Sequence, residues 1–524
     1  MVGLRNGVVL VACCALVLTG VMVAGPLDPP PGPVEQTDLV RTEADARIPL
    51  TQASAPGDAS ALFRITAPGS YYLTRGVSSS VAGQAGVSIE TSNVTLDLNG
   101  YTLSGAPGTG DGVRIASGLI GVTVRDGFVR GWGGSGVAIA QNSGGVLIEG
   151  VTASSNLGSG FDAGSAATIR HCSAVTNAQS GFRLSNDGVV ESCEARANGV
   201  SGFIGGGTFR ECVAFDHADD GFSVAFGLLD RCRAAGNTTG FELGSVLAPS
   251  IPSRVDATGC VSERSGNACF VARGEVVMTG CTSHGSLANG VLMFEDGGRL
   301  IDCVVTRPAS TGISTNGASV IDGCSVHGAG GFGLWVLPTS SGAVVTGTRV
   351  VGPGTDAFLL SGSNVTLRDC VATDPGGDGI AVASSALIER CAVHSPGDNG
   401  VELAASSAGV VISETSVYDA ASCGFRARGT NAEIIGCRAI AGAVGFGVDA
   451  NADASIRGSL ASGFSSTGFD VLGGSGVITG NTARGAGDGF ILVSGLRSGV
   501  VISGTGVVDD LSPYANFEIF VPTP

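Results

Sequence analysis

Short apolar runs that follow a glycine recur along the chain at a nearly constant interval. The first reads DGVRI at residues 111–115, and later examples include SGFDA, DGFSV and DGFIL. Most neighbouring runs lie 19 to 24 residues apart. Such short alternations of apolar and polar residues are typical of β-strands with one buried face. The first apolar residue after the glycine position, the anchor of each run, is Val113, Val137, Phe161, Phe182, Phe203, Phe222, Phe241, Phe270, Val291, Ile313, Leu334, Phe358, Ile380, Val401, Phe425, Phe446, Phe469 or Phe490.

A second series, out of phase with the anchors, is centred on cysteine. Its members read ATIRHCSAV, GLLDRCRAA or VTLRDCVA, with an apolar residue three positions before the cysteine in most cases. This spacing predicts a strand, a bend, and a second strand, with the cysteine facing inwards. The series comprises Cys172, Cys193, Cys212, Cys232, Cys260, Cys281, Cys303, Cys324, Cys370, Cys391 and Cys437, while Thr348, Thr415, Ser459 and Asn481 occupy the position where cysteine is missing.

A repeated unit of about 22 residues with two or three short strands predicts a solenoid, because no single unit can bury its apolar face alone. We therefore expect an all-β fold, a right-handed parallel β-helix of about 18 coils spaced by ~4.8 Å. Anchors should stack on anchors and cysteines on cysteines. Asn156, Asn177 and Asn198, each four residues before a repeat glycine, predict a stacked asparagine ladder that binds backbone groups of the turns. The longer step from Phe241 to Phe270 indicates an insertion around LAPSIPS.

The start of the repeat region resembles the pectate-lyase-like superfamily of bacterial secreted β-helix proteins. The stretches that carry the resemblance are ITAPGSYYLTRGV, NVTLDLNGYTLSG and GVTVRDGFVRGWGGSGV, and the similarity extends over roughly residues 62–510. The resemblance implies the fold. It implies no single activity, because the superfamily contains lyases, hydrolases, epimerases, adhesins and proteins without a known reaction.

The N-terminal segment is typical of an export signal. An apolar run from Val8 to Val23 follows Arg5, and small residues at Ala24 and Gly25 fit a cleavage site. A retained membrane anchor and a lipoprotein modified at Cys13 are the alternatives. We predict a signal peptide at residues 1–25, a Pro-rich lead-in at 26–61, the β-helix at 62–510 and a C-terminal coil or cap at 511–524. The protein should be secreted or in the cell envelope, and the mature chain should contain no transmembrane span.

The charge of the chain limits the classes of partner that we expect. The net charge is −17 and all 28 basic residues are arginine, without a basic stripe, so nucleic acid is excluded as a partner.

Disulfides would be usual in an exported chain with 15 cysteines. One inward cysteine per coil instead favours buried free thiols, and no short spacing suits a metal cluster. Cys269 and Cys423 lie outside the series and could differ.

The first candidate site is ADDGFSV, in which Asp219 and Asp220 precede the repeat glycine. The run resembles the paired aspartates of polygalacturonase-type hydrolases, which would make both residues catalytic. The neighbouring coils lack the further Asp, His and Lys residues of that family. The alternative is a polar turn in which the aspartates bind backbone N–H groups.

The second candidate emerges when three consecutive coils, GTDAFLL, GGDGIAV and GDNGVEL, are aligned. Their aspartates and the asparagine should stack into a patch of carboxylates that recruits a cation, with calcium the expected cofactor, or that raises one pKa. Candidate catalytic residues are Asp378 and Asp398; candidate metal ligands are Asp356, Asp374, Asp378 and Asp398; candidate substrate-binding residues are His394, Asn399 and Trp335.

Three functional hypotheses remain open from the sequence. The first is a β-helix repeat protein that binds a polysaccharide, a cell-surface glycan or another surface partner. The second is a polysaccharide lyase or glycoside hydrolase that acts on an acidic polysaccharide at one of the aspartate patches. The third is a structural or adhesive rod. The sequence indicates no oligomeric state.

Overall fold

A computed structural model describes residues 47–164, 166–185, 187–244, 254–473, 476–485, 487–492, 497–499, 501–505 and 515–520. The predicted signal peptide, most of the lead-in and the LAPSIPS insertion lie outside the described residues. Within these ranges the chain forms β-strands and turns only, and no helix is long and apolar enough to cross a membrane. The predicted all-β, right-handed parallel β-helix is confirmed.

Each turn of the solenoid contributes to three parallel columns of strands. The anchor column contains the glycine-linked runs, the pre-cysteine column the strand before the cysteine position, and the post-cysteine column the strand after it. Every pairing between the named strands is parallel, from Phe63↔Val87↔Val113 at one end to Phe446↔Phe469↔Phe490 at the other. The pattern places one face of each strand inside the solenoid and the other on its surface.

The strand bounds follow these columns. The anchor column contains Ala61–Ile65, Ala85–Ile89, Val113–Ile115, Val137–Ile139, Phe161–Ala163, Phe182–Leu184, Thr239–Leu243, Ala268–Arg273, Asn289–Phe294, Ile313–Asn316, Leu334–Val336, Phe358–Leu360, Ile380–Val382, Val401–Leu403 and Asp488–Leu492. The pre-cysteine column contains Ile48–Pro49, Gly69–Tyr72, Val94–Asp97, Ala167–Arg170, Gly188–Glu191, Val255–Thr258, Val276–Thr279, Arg299–Ile301, Val320–Asp322, Val344–Thr346, Val365–Arg368, Ala386–Glu389, Val411–Ser413, Ala432–Ile435, Ala454–Arg457, Val477–Thr479 and Arg497–Ser498. The post-cysteine column contains Val77–Ser78, Thr102–Ser104, Ser173–Val175, Glu194–Arg196, Val213–Phe215, Arg233–Ala235, Val261–Glu263, Thr282–His284, Val304–Thr306, Ser325–His327, Arg349–Val351, Val371–Thr373, Ala392–His394, Thr482–Arg484, Val501–Thr505 and Asn516–Phe520. Strands that run through two columns are Val122–Arg130, Val146–Ser154, Phe203–Arg210, Asp220–Asp230, Ser416–Ala427, Arg438–Val448 and Leu460–Val471.

The solenoid has about 20 turns, slightly more than the 18 expected. The additional anchors are Phe63 and Val87, which stack below Val113 in the same register. The sequence did not reveal Phe63 because no glycine precedes it. The solenoid also includes part of the predicted lead-in, because Ile48–Pro49 already pair in parallel with Tyr71–Tyr72.

Aromatic anchors form continuous stacks in the core. Phe161, Phe182, Phe203, Phe222 and Phe241 stack with ring centroids 4.7–4.8 Å apart and nearly parallel planes. The in-register pairing of parallel strands imposes this spacing, since equivalent side chains on adjacent turns are separated by the distance between strands. Each ring therefore covers the next, and the column excludes water over its whole length.

The predicted cysteine and asparagine ladders are both present. All thirteen described cysteines, including Cys269 and Cys423, are buried free thiols. Asn156 Nδ2 donates to Asn177 Oδ1 at 2.9 Å, and Asn177 Nδ2 donates to Asn198 Oδ1 at 3.0 Å. His217 takes the next position, where its Nδ1 accepts the backbone N–H of Asn198 at 3.1 Å. A histidine thus replaces one rung of an otherwise amide ladder.

Candidate functional site

The residues two positions before the anchors, most of them polar, form a ladder along one edge of the anchor column. We call this place in the repeat the turn position. At the second candidate patch it is occupied by Asp356, Asp378 and Asn399 on consecutive turns. Asp356 Oδ1 accepts the backbone N–H of Asp378 at 2.8 Å, and Asp378 Oδ1 accepts that of Asn399 at 2.8 Å. One oxygen of each aspartate is therefore bound to the backbone, and the other is left for further contacts.

Asp378, Asp398 and Glu402 bring their carboxylates together beside this ladder, with one oxygen of each within 4.8 Å of the other two. We call these three residues, together with Asp356 and Asn399, the acidic face. Asn399 Nδ2 links its members by donating to Glu402 Oε2 at 2.6 Å and to Asp378 Oδ1 at 3.1 Å.

Glu402 was not among the sequence candidates. It directly follows the anchor Val401, so its side chain points outwards from the strand that follows Asn399. Arg428 Nη1 donates to Glu402 Oε1 at 2.6 Å, so this carboxylate is paired with a guanidinium. Glu402 could have been found from the sequence because it directly follows an anchor. In the stacked structure, this place in the repeat lies next to the turn position of the preceding coil.

Burial changes the pKa values of these carboxyl groups. It raises the pKa of Asp378 to about 6, and the negative charges of Glu402 and Asp356 add to the effect. Burial likewise raises the pKa of Asp356. Asp378 can therefore hold a proton close to neutral pH, while its neighbour Glu402 is paired with a guanidinium.

An aromatic pair lies on the same face, directly before the acidic residues. Phe332 occupies the turn position one coil before Asp356, and its ring centroid lies 5.5 Å from that of Trp335. Both side chains are half-buried. Trp335 shares the outward column with Glu402, through the register Trp335↔Leu359↔Ala381↔Glu402. At ~4.8 Å per turn the two residues are separated by about 14 Å.

His394 and Asp374 do not join this face. His394 ends a post-cysteine strand, where its ring stacks on Tyr418 with centroids 4.8 Å apart. Asp374 is exposed in the turn after the preceding post-cysteine strand, with a positive φ of 49°. Both candidates precede the turn position by several residues. They therefore lie on the side of the coil that carries the post-cysteine strand. Of the expected metal ligands, Asp378 and Asp398 lie within one cluster and Asp356 lies one turn away.

Asp220, from the first candidate, reproduces the geometry of Asp378 seven turns earlier. Its pKa is raised to about 7 by burial and by the charges of Asp219 and Glu242. Glu242 directly follows the next anchor, as Glu402 does, and Arg273 Nε binds its Oε1 at 3.0 Å. Asp219 differs from Asp220 because it is exposed. The two sequence candidates are thus occurrences of one arrangement of aspartate, glutamate and arginine on consecutive turns.

The arrangement at the acidic face suits two kinds of chemistry. Three carboxylate oxygens within 4.8 Å fit around a single Ca²⁺ ion, which takes oxygen ligands at 2.3–2.6 Å. A carboxyl group with a raised pKa beside an ionised carboxylate is also the usual pairing for general acid catalysis. Both uses require access from the surface, which the exposed side chain of Asp398 provides.

The sequence matches a known family over most of its length. The family described as "Right handed beta helix region" matches residues 69–215, 267–416 and 375–507. The chain belongs to this family. No curated protein matches it significantly.

Several solved structures share the architecture at low identity. The Dettilon tailspike protein is 13% identical, with 68% of this chain and 62% of the tailspike covered and a TM-score of 0.27. The catalytic unit of an α-1,3-glucanase from Streptomyces thermodiastaticus is 12% identical, with 69% and 60% covered and a TM-score of 0.25. PfbA, a surface adhesin of Streptococcus pneumoniae, is 9% identical, with 76% and 85% covered and a TM-score of 0.21. The chain thus spans less than two thirds of the tailspike and the glucanase, and similarities this weak carry no information on activity.

Proposed function

We propose that this protein binds a polysaccharide along the acidic face and its aromatic pair. The observation that supports the proposal most is the order of side chains on consecutive turns, with Phe332 and Trp335 followed by Asp356, Asp378 and Asn399. Half-exposed aromatic rings stack on the apolar faces of sugar rings, while carboxylate and amide groups bind sugar hydroxyls. A glycan lying parallel to the solenoid axis would contact both kinds of group.

A glycan array followed by isothermal titration calorimetry tests this proposal. We expect Trp335→Ala and Asp378→Asn each to lower the affinity for the selected glycan by about tenfold. Asp256→Asn serves as the matched control, because Asp256 lies in the pre-cysteine column and its carboxylate binds Arg254 at 3.1 Å. An array without a binding glycan would favour the alternative of a structural or adhesive rod. Unchanged affinities in both variants would mean that the glycan binds elsewhere on the chain.

We further propose that Asp378, Asp398 and Glu402 bind calcium. Because a proton on Asp378 competes with the cation, calcium affinity should fall as the pH decreases through about 6. Calorimetry with CaCl₂ measures this dependence, and Asp398→Asn should weaken binding at every pH. Calcium binding that is insensitive to both changes would rule out this site.

Hydrolysis of a glycosidic bond is the second candidate function, favoured by the pKa of about 6 of Asp378. While Asp378 donates a proton to the leaving oxygen, the Glu402 carboxylate, which has an oxygen within 4.8 Å of one of Asp378, would bond to the anomeric carbon, and water would then hydrolyse the resulting glycosyl ester. Reducing-end release from a panel of acidic and neutral polysaccharides measures this reaction. Asp378→Asn should abolish release. Unsaturated products would instead indicate elimination.

We infer in addition that the chain is exported, because its first 25 residues have the order of a signal peptide. N-terminal sequencing of the protein recovered from the cell exterior would locate cleavage near Ala24–Gly25. An uncleaved N-terminus would favour the membrane anchor, and a lipid on Cys13 would favour the lipoprotein.

A further inference from the structure

A polar cleft of about 440 Å³ opens on the anchor column close to the start of the solenoid, far from the acidic face. Its origin is a single small side chain. In the outward column, Ala138 lies in register between Arg114 on the preceding turn and Asp162 on the following turn. The two long side chains form walls, and the alanine leaves the space between them open.

The cleft continues on both sides across the strand face. A hollow of about 540 Å³ adjoins it and shares Gln141 and Gly164. A second hollow of about 430 Å³ shares Asp162 and Arg183, and it is lined further by Ser135, Ser159 and Ser180. Together they form a groove across several turns, lined by serine, glutamine and charged groups and also by apolar side chains such as Ile120 and Ile204.

Arg114 is the cationic group in this groove whose guanidinium makes no contact at hydrogen-bond distance within the described part of the chain. Its charge adds to the effect of Arg64 in lowering the pKa of the nearby Glu90, and it opposes the burial that raises the pKa of Asp111. Its half-buried guanidinium forms no ion pair or side-chain hydrogen bond with the described residues. The nearby carboxylates are already engaged, since Glu90 binds Arg64 at 2.7 Å and Asp111 accepts the backbone N–H of Ser135 at 2.8 Å. On the opposite wall, Arg183 makes only a long contact of 3.5 Å with Asp162.

We propose that this groove binds a polysaccharide that carries anionic groups, with Arg114 as the residue that holds a carboxylate or sulfate. A guanidinium presents a planar fork of donors that matches both oxyanions. The hydroxyl and amide groups along the groove complement sugar hydroxyls, and its apolar side chains can pack against the apolar faces of sugar rings. This site is separate from the acidic face and does not depend on the function proposed there.

Calorimetry with defined oligosaccharides tests the proposal on the full chain. The probes are a hexamer of galacturonate, its methyl ester, a sulfated oligosaccharide of similar length and inorganic sulfate. We expect at least one anionic oligosaccharide to bind. Arg114→Gln should lower that affinity by about tenfold or more, as expected for the loss of a charged hydrogen bond. Arg349→Gln is the matched control, because Arg349 is exposed in the post-cysteine column, and it should bind like the wild type.

A second variant tests the groove by shape. Ala138→Leu fills the space between Arg114 and Asp162 without removing a charge, and it should weaken binding by a similar factor. The groove proposal fails if Arg114→Gln and Ala138→Leu both bind these probes like the wild type, whereas the function proposed for the acidic face fails if Asp378→Asn leaves the affinity for the array-selected glycan unchanged. Equal binding by wild type and Arg114→Gln, equal binding of the methyl ester, or binding of inorganic sulfate as tight as that of the oligosaccharide would overturn the proposal.

Discussion

Individual residues show how the same place in the repeat serves either structure or chemistry. At several coils the turn position holds a small polar residue whose side chain accepts a backbone N–H from the next turn, as Asp111 does from Ser135 and Asn289 does from Thr311. Asp220 occupies this position as a buried carboxyl group whose pKa is about 7. The position itself is structural, but an aspartate in it remains partly protonated near neutral pH, which serine or asparagine cannot do.

The raised pKa of Asp220 makes stability depend on pH in a defined direction. Between about pH 4 and pH 7 the folded chain retains a proton that the unfolded chain has released, so the free energy of unfolding falls as the pH rises. Asp220→Asn should match the wild type near pH 4 and exceed its stability at pH 8 by up to about 4 kcal/mol. Urea unfolding at both pH values measures the difference. Asp219→Asn, at the exposed neighbour, should reduce the pH dependence only in part, because it removes one of the charges that raise the pKa of Asp220 and leaves the burial of Asp220 unchanged. Equal effects of the two variants would contradict the assignment.

His217 predicts the opposite dependence, because it is a buried base. Burial lowers its pKa to about 4, and its Nε2 atom is buried without a hydrogen-bond partner. The unfolded chain binds a proton below about pH 6.5 that the folded chain does not, so stability is lost as the pH falls from 6.5 towards 4. His217→Asn restores an amide to the ladder and should remove this loss.

The same variant should gain roughly 1 kcal/mol at pH 7.5 from a restored hydrogen bond. Unfolding midpoints at pH 4.5, 5.5 and 7.5 provide the test, with Asn177→Ala as a variant that should lower stability at every pH. A pH profile of His217→Asn that coincides with that of the wild type would contradict the account.

At the scale of the elements, each column of the solenoid carries one kind of side chain inwards. The cysteine series is the longest of these columns after the anchors. Each thiol donates to a backbone carbonyl, as Cys193 Sγ does to the oxygen of Glu191 at 3.2 Å. Thr348 makes the equivalent contact with the oxygen of Thr346 at 3.1 Å, which explains why a hydroxyl can replace the thiol.

Buried thiols should not react with thiol reagents until the solenoid unfolds. Burial raises the pKa of Cys437 to about 12 and also raises that of Cys193, so neither forms the reactive thiolate near neutral pH. We expect almost no reaction of native protein with Ellman's reagent at pH 8. In guanidinium all thirteen described cysteines should react. A lower count after unfolding, rising on addition of a reductant, would indicate disulfides between turns.

The columns also explain which parts of the site could be predicted. Asp356, Asp378 and Asn399 were found because they share one offset from their anchors, and register then stacks them. Glu402 was missed although GDNGVEL contains it, because acidic residues were considered only up to the turn position. Phe332 was missed because only polar residues were considered at that position. His394 and Asp374 lie in the turns that lead into the turn position, and the corner between the post-cysteine strand and that position separates them from the acidic face.

The cleft at Ala138 required more than an offset. Its walls come from the turns before and after, so the space exists only when three coils are in register. An alanine in an outward position carries no chemical signal by itself. Such sites become visible only in the stacked structure, because they depend on a missing side chain between two long ones.

At the scale of the whole molecule, the acidic face and the groove lie in the same outward column but nine turns apart. Trp335 and Ala138 are separated by about 43 Å at ~4.8 Å per turn. In a solenoid each turn contacts mainly its neighbours, so a ligand at one site has no direct route to the other. We therefore expect the two sites to bind independently, and their occupancies to add.

Tryptophan fluorescence can test this independence, because the chain contains only Trp132 and Trp335. Trp132 is fully buried, and its Nε1 donates to the oxygen of Leu103 at 3.1 Å. Trp335 is half-exposed in the aromatic pair next to the acidic face. A glycan bound there should shift the emission of wild-type protein but not that of Trp335→Phe, in which only the buried reporter remains. Saturating the groove with an anionic oligosaccharide should leave the Trp335 titration unchanged, and this should hold equally in Arg114→Gln. A change in the midpoint of that titration would mean that the solenoid transmits binding over nine turns, contrary to nearest-neighbour stacking.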